Sequence, residues 1–154
     1  MTPLCTVVGA LPGAMPPLIG WAAASGKLSF EAWVLYAMLF LWQFPHFMAI
    51  AWMYREDYSR AGYLVLPRGE QAGRVMSWQA VFASLALIPV SLIPGAFGSL
   101  GLVYFVAAWI LSSWFFYYSA RLAFLRSNVA ARQLLKVSIV YLPLAFVLMI
   151  GTHR

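Results

Sequence analysis

The chain has 154 residues, of which 64% are hydrophobic and 9% are charged, and its mean hydropathy is +0.82. Because an ordinary soluble domain is about 25% charged, this composition excludes a soluble globular protein and predicts an all-α membrane protein, with residues 1–154 forming a single transmembrane domain. The net charge of +6 arises almost entirely between the apolar segments, which argues against a nucleic-acid partner, and the single cysteine, Cys5, excludes an internal disulfide.

Five apolar segments are long enough to cross the membrane as tilted helices, which predicts a multi-span transmembrane helical bundle. They run from about Leu4 to Ala24, Phe30 to Met53, Val75 to Pro94, Leu100 to Leu125, and Leu134 to Gly151. The first segment contains Gly9, Pro12, Gly13, Pro16, Pro17 and Gly20. Since interior prolines remove helix hydrogen bonds, we expect a broken or kinked helix that faces the bundle interior, either as a cavity wall or as a tight contact between helices.

The basic residues predict the orientation of the spans. They concentrate after the second and fourth segments, as Arg55, Arg60, Arg68, Arg74, Arg121, Arg126, Arg132 and Lys136. Because cytoplasmic loops are enriched in arginine and lysine, these two loops should be cytoplasmic. With five spans, the N-terminus is then cytoplasmic as well and Arg154 lies outside.

The second segment carries the residues best suited to chemistry. Trp42 and Gln43 precede His46 by four and three positions, so the three side chains are predicted to share a helical face. Pro45 cannot donate a hydrogen bond to the carbonyl of Leu41, which predicts a polar pocket with a freed acceptor. Because ionisable residues within spans are costly, a functional role for His46 is favoured over the alternative, a hydrogen bond to a neighbouring helix.

Two carboxylates follow where this helix leaves the membrane. If the helix continues, Asp57 returns to the face of His46 about 16 Å farther toward the cytoplasm. Glu56 and Asp57 would sit at a helix C-terminus, where the dipole disfavours anions, so helix stability does not account for them. Two interpretations stay open: a solvated ion-pair cluster with Arg55 and Arg60, or a site that binds Mg²⁺ and an anionic ligand.

These residues resemble the protohaem IX farnesyltransferases, or haem O synthases, of the UbiA superfamily of intramembrane prenyltransferases. The matching pieces are Thr2-Pro3, the run from Gly9 to Trp21, the run from Trp42 to Phe47, Glu56-Asp57-Tyr58, Ala61-Gly62 and Leu66-Pro67. The resemblance covers essentially the whole chain, but only the C-terminal part of a family with nine spans. Tyr63-Leu64-Val65 departs from the family's usual isoleucine-proline-methionine.

The resemblance implies transfer of a farnesyl group from farnesyl diphosphate to a vinyl group of haem B, giving haem O on the way to haem A. It also implies Mg²⁺ as cofactor, a bacterial inner membrane as location, membrane lipid as surroundings and haem A synthase as a partner. By resemblance, Asp57 would be catalytic and bind the metal, with Glu56 beside the diphosphate. From their positions, Arg55 and Arg60 are candidates to neutralise the charge of the bound substrate, with Tyr58 as a further substrate contact. By resemblance, His46, with Trp42 and Gln43, would contact the haem or transfer a proton.

The family's first aspartate-rich motif lies upstream of the matched region, so we expect this chain alone to be inactive. Two rival functions follow from the same residues. One is a non-catalytic haem-binding or assembly module in which His46 ligates haem. The other is a small transporter or channel built on the broken first helix, which is less favoured because the charges lie at the loops rather than along a membrane pathway.

Overall fold

A computed structural model describes residues 4–60, 70–97 and 100–152, and this part of the chain is helical apart from short connections. Within these ranges seven helices follow one another: α1 Leu4–Gly13, α2 Pro16–Ser25, α3 Phe30–Met53, α4 Arg55–Arg60, α5 Glu70–Phe97, α6 Gly101–Leu125 and α7 Asn128–Thr152. The predicted all-α membrane bundle is confirmed. The predictions that concern Thr2-Pro3, the loop from Ala61 to Arg68, and Arg154 fall outside the described residues.

Four of the described helices are long and apolar enough to span a membrane. The first predicted span is instead divided into α1 and α2, each of 10 residues, or about 15 Å long. The predicted break is confirmed, and its cause is local: Pro16 and Pro17 have no N–H group and begin a new helix just after Ala14 and Met15. The predicted total of five spans is therefore approximate.

The four long helices form a closed ring around one core. Helix α3 packs against α5 and α7, and α6 packs against the same two helices on the other side. The core contains Met38, Leu87, Phe115, Leu134 and Tyr141, each at most 2% exposed, and the rings of Phe115 and Tyr141 stack with their centroids 5.0 Å apart. Helices α1 and α2 make their main contacts with α3. Helix α3 is consequently the element that joins the broken first segment to the ring.

Small polar residues mark one buried face of α5 and one of α6. Buried serines recur every seven residues, at positions 77, 84 and 91 on α5 and at 112 and 119 on α6. The hydroxyls of Ser84, Ser91 and Ser112 donate to carbonyls of their own helices. Because small side chains let helix backbones approach closely, these buried faces suit close packing within the bundle.

The two ends of the ring differ in charge. At one end Arg55, just after α3, donates a hydrogen bond to the side chain of Asn128 at the start of α7. At the other end a cavity of about 730 Å³ lies among α2, α3, α5, α6 and α7, with Lys27, Glu31 and Pro94 among its lining residues. Since α5 begins and α6 ends at the Arg55 end, the described basic residues other than Lys27 belong to that half of the bundle.

Candidate functional site

His46 and Trp42 form a pair on α3 that faces α7. Their rings stack with centroids 4.5 Å apart and planes inclined by 20°. His46 Nδ1 lies 2.8 Å from Ser138 Oγ, and Trp42 Nε1 donates to the carbonyl oxygen of Ser138 over 2.9 Å. The four-residue spacing thus brings the two rings to one face, as the sequence predicts. The structural alternative for His46, a hydrogen bond to a neighbouring helix, is also present, but it uses only one of the two ring nitrogens.

Ser138 is the residue of this site that sequence reasoning missed. Its side chain is fully buried, and its hydroxyl donates to the carbonyl of Leu135 over 2.7 Å. It interrupts the apolar run of α7, which was the only available signal. A lone serine in a span is common enough that this signal does not single it out.

Gln43 does not join the histidine face. Its side chain is 4% exposed and packs beside α1, where a Cβ atom placed on Gly13 would lie 2.9 Å from its Nε2 atom. The prediction that Gln43 shares the His46 face is therefore wrong, because a three-residue spacing leaves the two side chains about 60° apart around the helix. Its Oε1 atom is buried and has no hydrogen-bond partner among the described residues.

The helix does not continue unbroken from His46 to Asp57. Helix α3 ends at Met53, and Tyr54 turns the chain with φ of −103° and ψ of 17° before the short helix α4 begins at Arg55. The assumption of one continuous helix, from which Asp57 was placed on the His46 face, is therefore not met. Asp57 and Glu56 lie in the first turn of α4, and both side chains are exposed. The dipole of α4 favours carboxylates in this turn.

The two arginines of α4 occupy different environments. Arg55 Nη1 donates to the carbonyl of Trp52 over 2.9 Å and to the Asn128 side chain, and the guanidinium lies 5.1 Å from the centre of the Trp52 ring. Its approach to Glu56 is long, 3.9 Å, and exposed, so this pair contributes at most about 1 kcal/mol. Arg60 is exposed and makes no contact of these kinds within the described ranges. Tyr58 is half-buried.

The donor set on α4 limits the kind of metal site that could form. Among the residues that the structure describes, no group of three or more histidine, cysteine, aspartate or glutamate side chains could hold a metal ion. Mg²⁺, however, is commonly bound through one or two carboxylates together with substrate phosphates and water. Exposed Glu56 and Asp57 beside Arg60 fit that mode, whereas a site made of protein ligands alone does not.

Comparison with known proteins identifies the family. The sequence profile of the UbiA prenyltransferase family matches residues 1–149. The chain belongs to this family. UbiA prenyltransferases are membrane proteins, and the four long apolar helices agree with an integral membrane location.

The similar relatives share one name. A protein from Solibacter usitatus named "Protoheme IX farnesyltransferase" is 54% identical over 145 residues, which cover 94% of this UbiA chain and 50% of the relative. Relatives of the same name from Koribacter versatilis and Bordetella pertussis are 46% and 40% identical, covering 96% and 99% of the chain and 50% and 51% of their own lengths. The chain therefore spans about half the length of the curated relatives it matches. No solved structure matches the chain.

Proposed function

We propose that this chain forms part of a protohaem IX farnesyltransferase, a prenyltransferase that transfers the farnesyl group of farnesyl diphosphate to a vinyl group of haem B. The observation that carries the proposal is the 54% identity to the Solibacter usitatus relative of that name, across 94% of the chain. The positions of the site residues support it, because exposed carboxylates and an arginine lie at the basic end of the bundle, and the stacked His46 and Trp42 rings lie on the span that leads there.

The chemistry is an exchange of bonds at an allylic carbon. The C–O bond to diphosphate breaks, the farnesyl carbon bonds to the terminal vinyl carbon, water adds to the other vinyl carbon, and one proton is released. The departing diphosphate takes away the electron pair of the broken bond. Stabilising that negative charge is the main electrostatic task of such a site.

The side chains of α4 are suited to the diphosphate. Asp57 and Glu56 would hold Mg²⁺, which when bound supplies positive charge to the leaving group. Of the two basic residues, Arg60 is the better candidate to contact a phosphate oxygen, because Arg55 already donates to Trp52 and Asn128. This assignment refines the expectation from sequence, which treated the two arginines alike. Tyr58 is kept as a neighbouring substrate contact.

His46 and Trp42 are suited to the haem. A stacked pair of flat rings offers a porphyrin an apolar surface, and the histidine adds a nitrogen that can bind iron or accept a proton. Gln43 is buried beside Gly13, and its carbonyl oxygen has no hydrogen-bond partner in the described part of the chain; it is proposed to assist from the α1 side. The apolar side chains exposed around the ring, such as Leu102 and Ile150, would contact membrane lipid.

The orientation and surroundings are part of the same proposal. The end of the bundle that carries Arg55, Arg60 and Arg74 would face the cytoplasm of a bacterial cell and the cavity end would face outward, since basic residues are enriched on the cytoplasmic side. The product, haem O, would be consumed by haem A synthase, which makes that enzyme the expected partner.

A chimera tests the function. The chain is joined to the unmatched half of the Solibacter usitatus relative and expressed in cells without their own haem O synthesis, and haem O is measured by mass spectrometry. We expect haem O from the chimera, a loss on the order of 10²–10³ for Asp57→Asn, and little change for the control Glu31→Gln, a carboxylate at the cavity end.

The other outcomes are equally informative. Haem O formation that is unchanged by Asp57→Asn would contradict the role of α4. A chimera that binds haem through His46 but forms no haem O, with or without farnesyl diphosphate and Mg²⁺, would favour the haem-binding module. The isolated 154-residue chain is assayed alongside, and its detectable activity would contradict the expectation from sequence that it does not work alone.

A further inference from the structure

The hydroxyl of Ser138 connects two hydrogen-bonding groups and can donate to only one of them. A serine hydroxyl carries one proton and two lone pairs. Ser138 Oγ lies 2.7 Å from the carbonyl oxygen of Leu135, which can only accept. The serine proton therefore points to Leu135, within its own helix. Toward His46 the same oxygen presents a lone pair.

The direction of the Ser138 O–H bond determines which ring nitrogen of His46 carries the proton. His46 Nδ1 lies 2.8 Å from Ser138 Oγ, and two atoms that both present lone pairs would repel at that distance. Nδ1 must then carry the hydrogen. In a neutral imidazole only one nitrogen is protonated, so Nε2 is left with its lone pair free, and Nε2 makes no hydrogen bond within the described part of the chain.

The tautomer that results is the one that a free histidine does not prefer. In water the neutral side chain favours the proton on Nε2, so an ordered partner is needed to hold it on Nδ1. Trp42 also helps to hold the imidazole in place, because its ring stacks on the imidazole and its Nε1 atom donates to the carbonyl oxygen of Ser138. One residue of α7 therefore holds both rings of the α3 pair.

We infer that Ser138 is a positioning residue, which holds His46 as the Nδ1–H tautomer so that Nε2 offers its lone pair to an electron-pair acceptor. The acceptor is either the iron of a haem or a proton released in the reaction, which share the same requirement for an unprotonated nitrogen. The tautomer follows from the hydrogen bonds alone. Its use in catalysis rests on the proposed function.

The tautomer can be measured directly in the 154-residue chain. The chain contains two histidines, His46 and His153, so a His153→Gln variant labelled with ¹⁵N-histidine reports on His46 alone. Its spectrum is recorded in lipid nanodiscs at a pH where the ring is neutral, because protonated and unprotonated ring nitrogens then resonate far apart. We expect Nδ1 to be the protonated nitrogen. A spectrum with the proton on Nε2 would overturn the inference, without any variant of Ser138 having to fold.

Variants of Ser138 test the cause. Ser138→Ala should shift the population toward Nε2–H by severalfold, and Ser138→Thr, which keeps a hydroxyl, should restore the original pattern. Ser119→Ala is the matched control, since Ser119 is an equally buried serine whose hydroxyl has no hydrogen-bond partner among the described residues. A Ser138→Ala protein with an unchanged tautomer would overturn the role of the serine.

The chimera then distinguishes the two acceptors. If iron is the acceptor, added haem B should give an absorption spectrum that His46→Gln changes and Ser138→Ala weakens. If a proton is the acceptor, His46→Gln should abolish haem O formation without changing that spectrum. A His46→Gln chimera that retains both properties would overturn the use of the lone pair while leaving the tautomer, and the proposed reaction, intact.

Discussion

Arg55 and Arg60 lie five residues apart and show how differently two arginines of one short helix can be used. The guanidinium of Arg55 donates hydrogen bonds to Trp52 and Asn128, whereas Arg60 is exposed to solvent. The planar guanidinium of arginine can make several such contacts at once, and the compact ammonium group of lysine cannot reproduce them. Arg55 therefore has a structural role that the sequence pattern, which paired it with the carboxylates, did not reveal.

Conservative substitution separates the two roles. Arg55→Lys should lower the free energy of unfolding by about 1 kcal/mol, because it loses a charged hydrogen bond and the contact with the Trp52 ring. Arg60→Lys is the control and should leave stability within about 0.5 kcal/mol. Both are measured by denaturant unfolding in detergent micelles. Equal destabilisation by the two variants would contradict the division of roles.

The site shows where residue-level prediction from sequence ends. Spacing rules connect residues on the same helix, so the stacking of Trp42 on His46 could be anticipated. The hydrogen bond between His46 and Ser138 joins positions 92 residues apart, and no spacing rule reaches across two intervening spans. Gln43 lies on the same helix as His46, but the angle of about 60° between their side chains around α3 was enough to turn Gln43 to another helix.

At the scale of helices, the contact between α1 and α3 depends on the absence of a side chain. Gly13 ends α1, and a Cβ atom there would lie 2.9 Å and 3.0 Å from the two amide heteroatoms of buried Gln43. At Gly9, on the same helix, nothing lies within 4 Å of an added Cβ atom. The two glycines form a matched pair for testing how tightly the broken segment is held.

Alanine at these two positions should have opposite effects. Gly13→Ala should destabilise the chain by about 1 kcal/mol, because the buried Gln43 amide must shift to admit the methyl group, whereas Gly9→Ala should stabilise α1 by about 0.5–1 kcal/mol because alanine restricts the unfolded chain. Combining Gly13→Ala with Gln43→Ala should recover part of the loss in an unfolding measurement. Additive effects in the double variant would show that the amide is not what Gly13 accommodates.

Helix boundaries were predicted well where they coincide with the limits of an apolar run. They were predicted poorly where hydropathy does not mark them. The predicted second span, Phe30 to Met53, coincides with α3, because both ends mark the limits of an apolar run. The break at Tyr54 could not be foreseen, since the residues around it have no helix-breaking composition. Helices α5 and α7 begin earlier than predicted, at Glu70 and Asn128, because a helix continues into charged sequence after hydropathy has fallen.

The long helices among the described residues form a ring of four spans with one basic end and one cavity end. The order and approximate length of the spans were evident from hydropathy, but their arrangement was not, because apolar faces in lipid carry no periodic signal of which helix they meet. The serines at every seventh position of α5 and α6 did indicate one buried face on each of these helices. This spacing was missed because contacts between helices in a membrane are marked by small residues rather than by large ones.

Cysteine labelling tests the orientation of the ring. Because Cys5 is the only cysteine, a Cys5→Ser chain provides a background without thiols, into which Lys27→Cys or Arg60→Cys is introduced at an exposed position. In intact cells whose inner membrane is accessible, a membrane-impermeant maleimide should label the Lys27→Cys chain and should label the Arg60→Cys chain only after lysis. The reverse pattern would contradict a cytoplasmic basic end.

The hydrogen bond between His46 and Ser138 can form only after both residues have been synthesised. At roughly 5–20 residues per second, the 92 residues between them take about 5–18 s to translate, and during that interval α3 exists without α7. Until α7, the last described helix, has been inserted, nothing selects the ring proton of His46 or holds the Trp42 indole. The histidine therefore acquires this hydrogen bond, and the ring tautomer that depends on it, only after α7 has been synthesised and inserted.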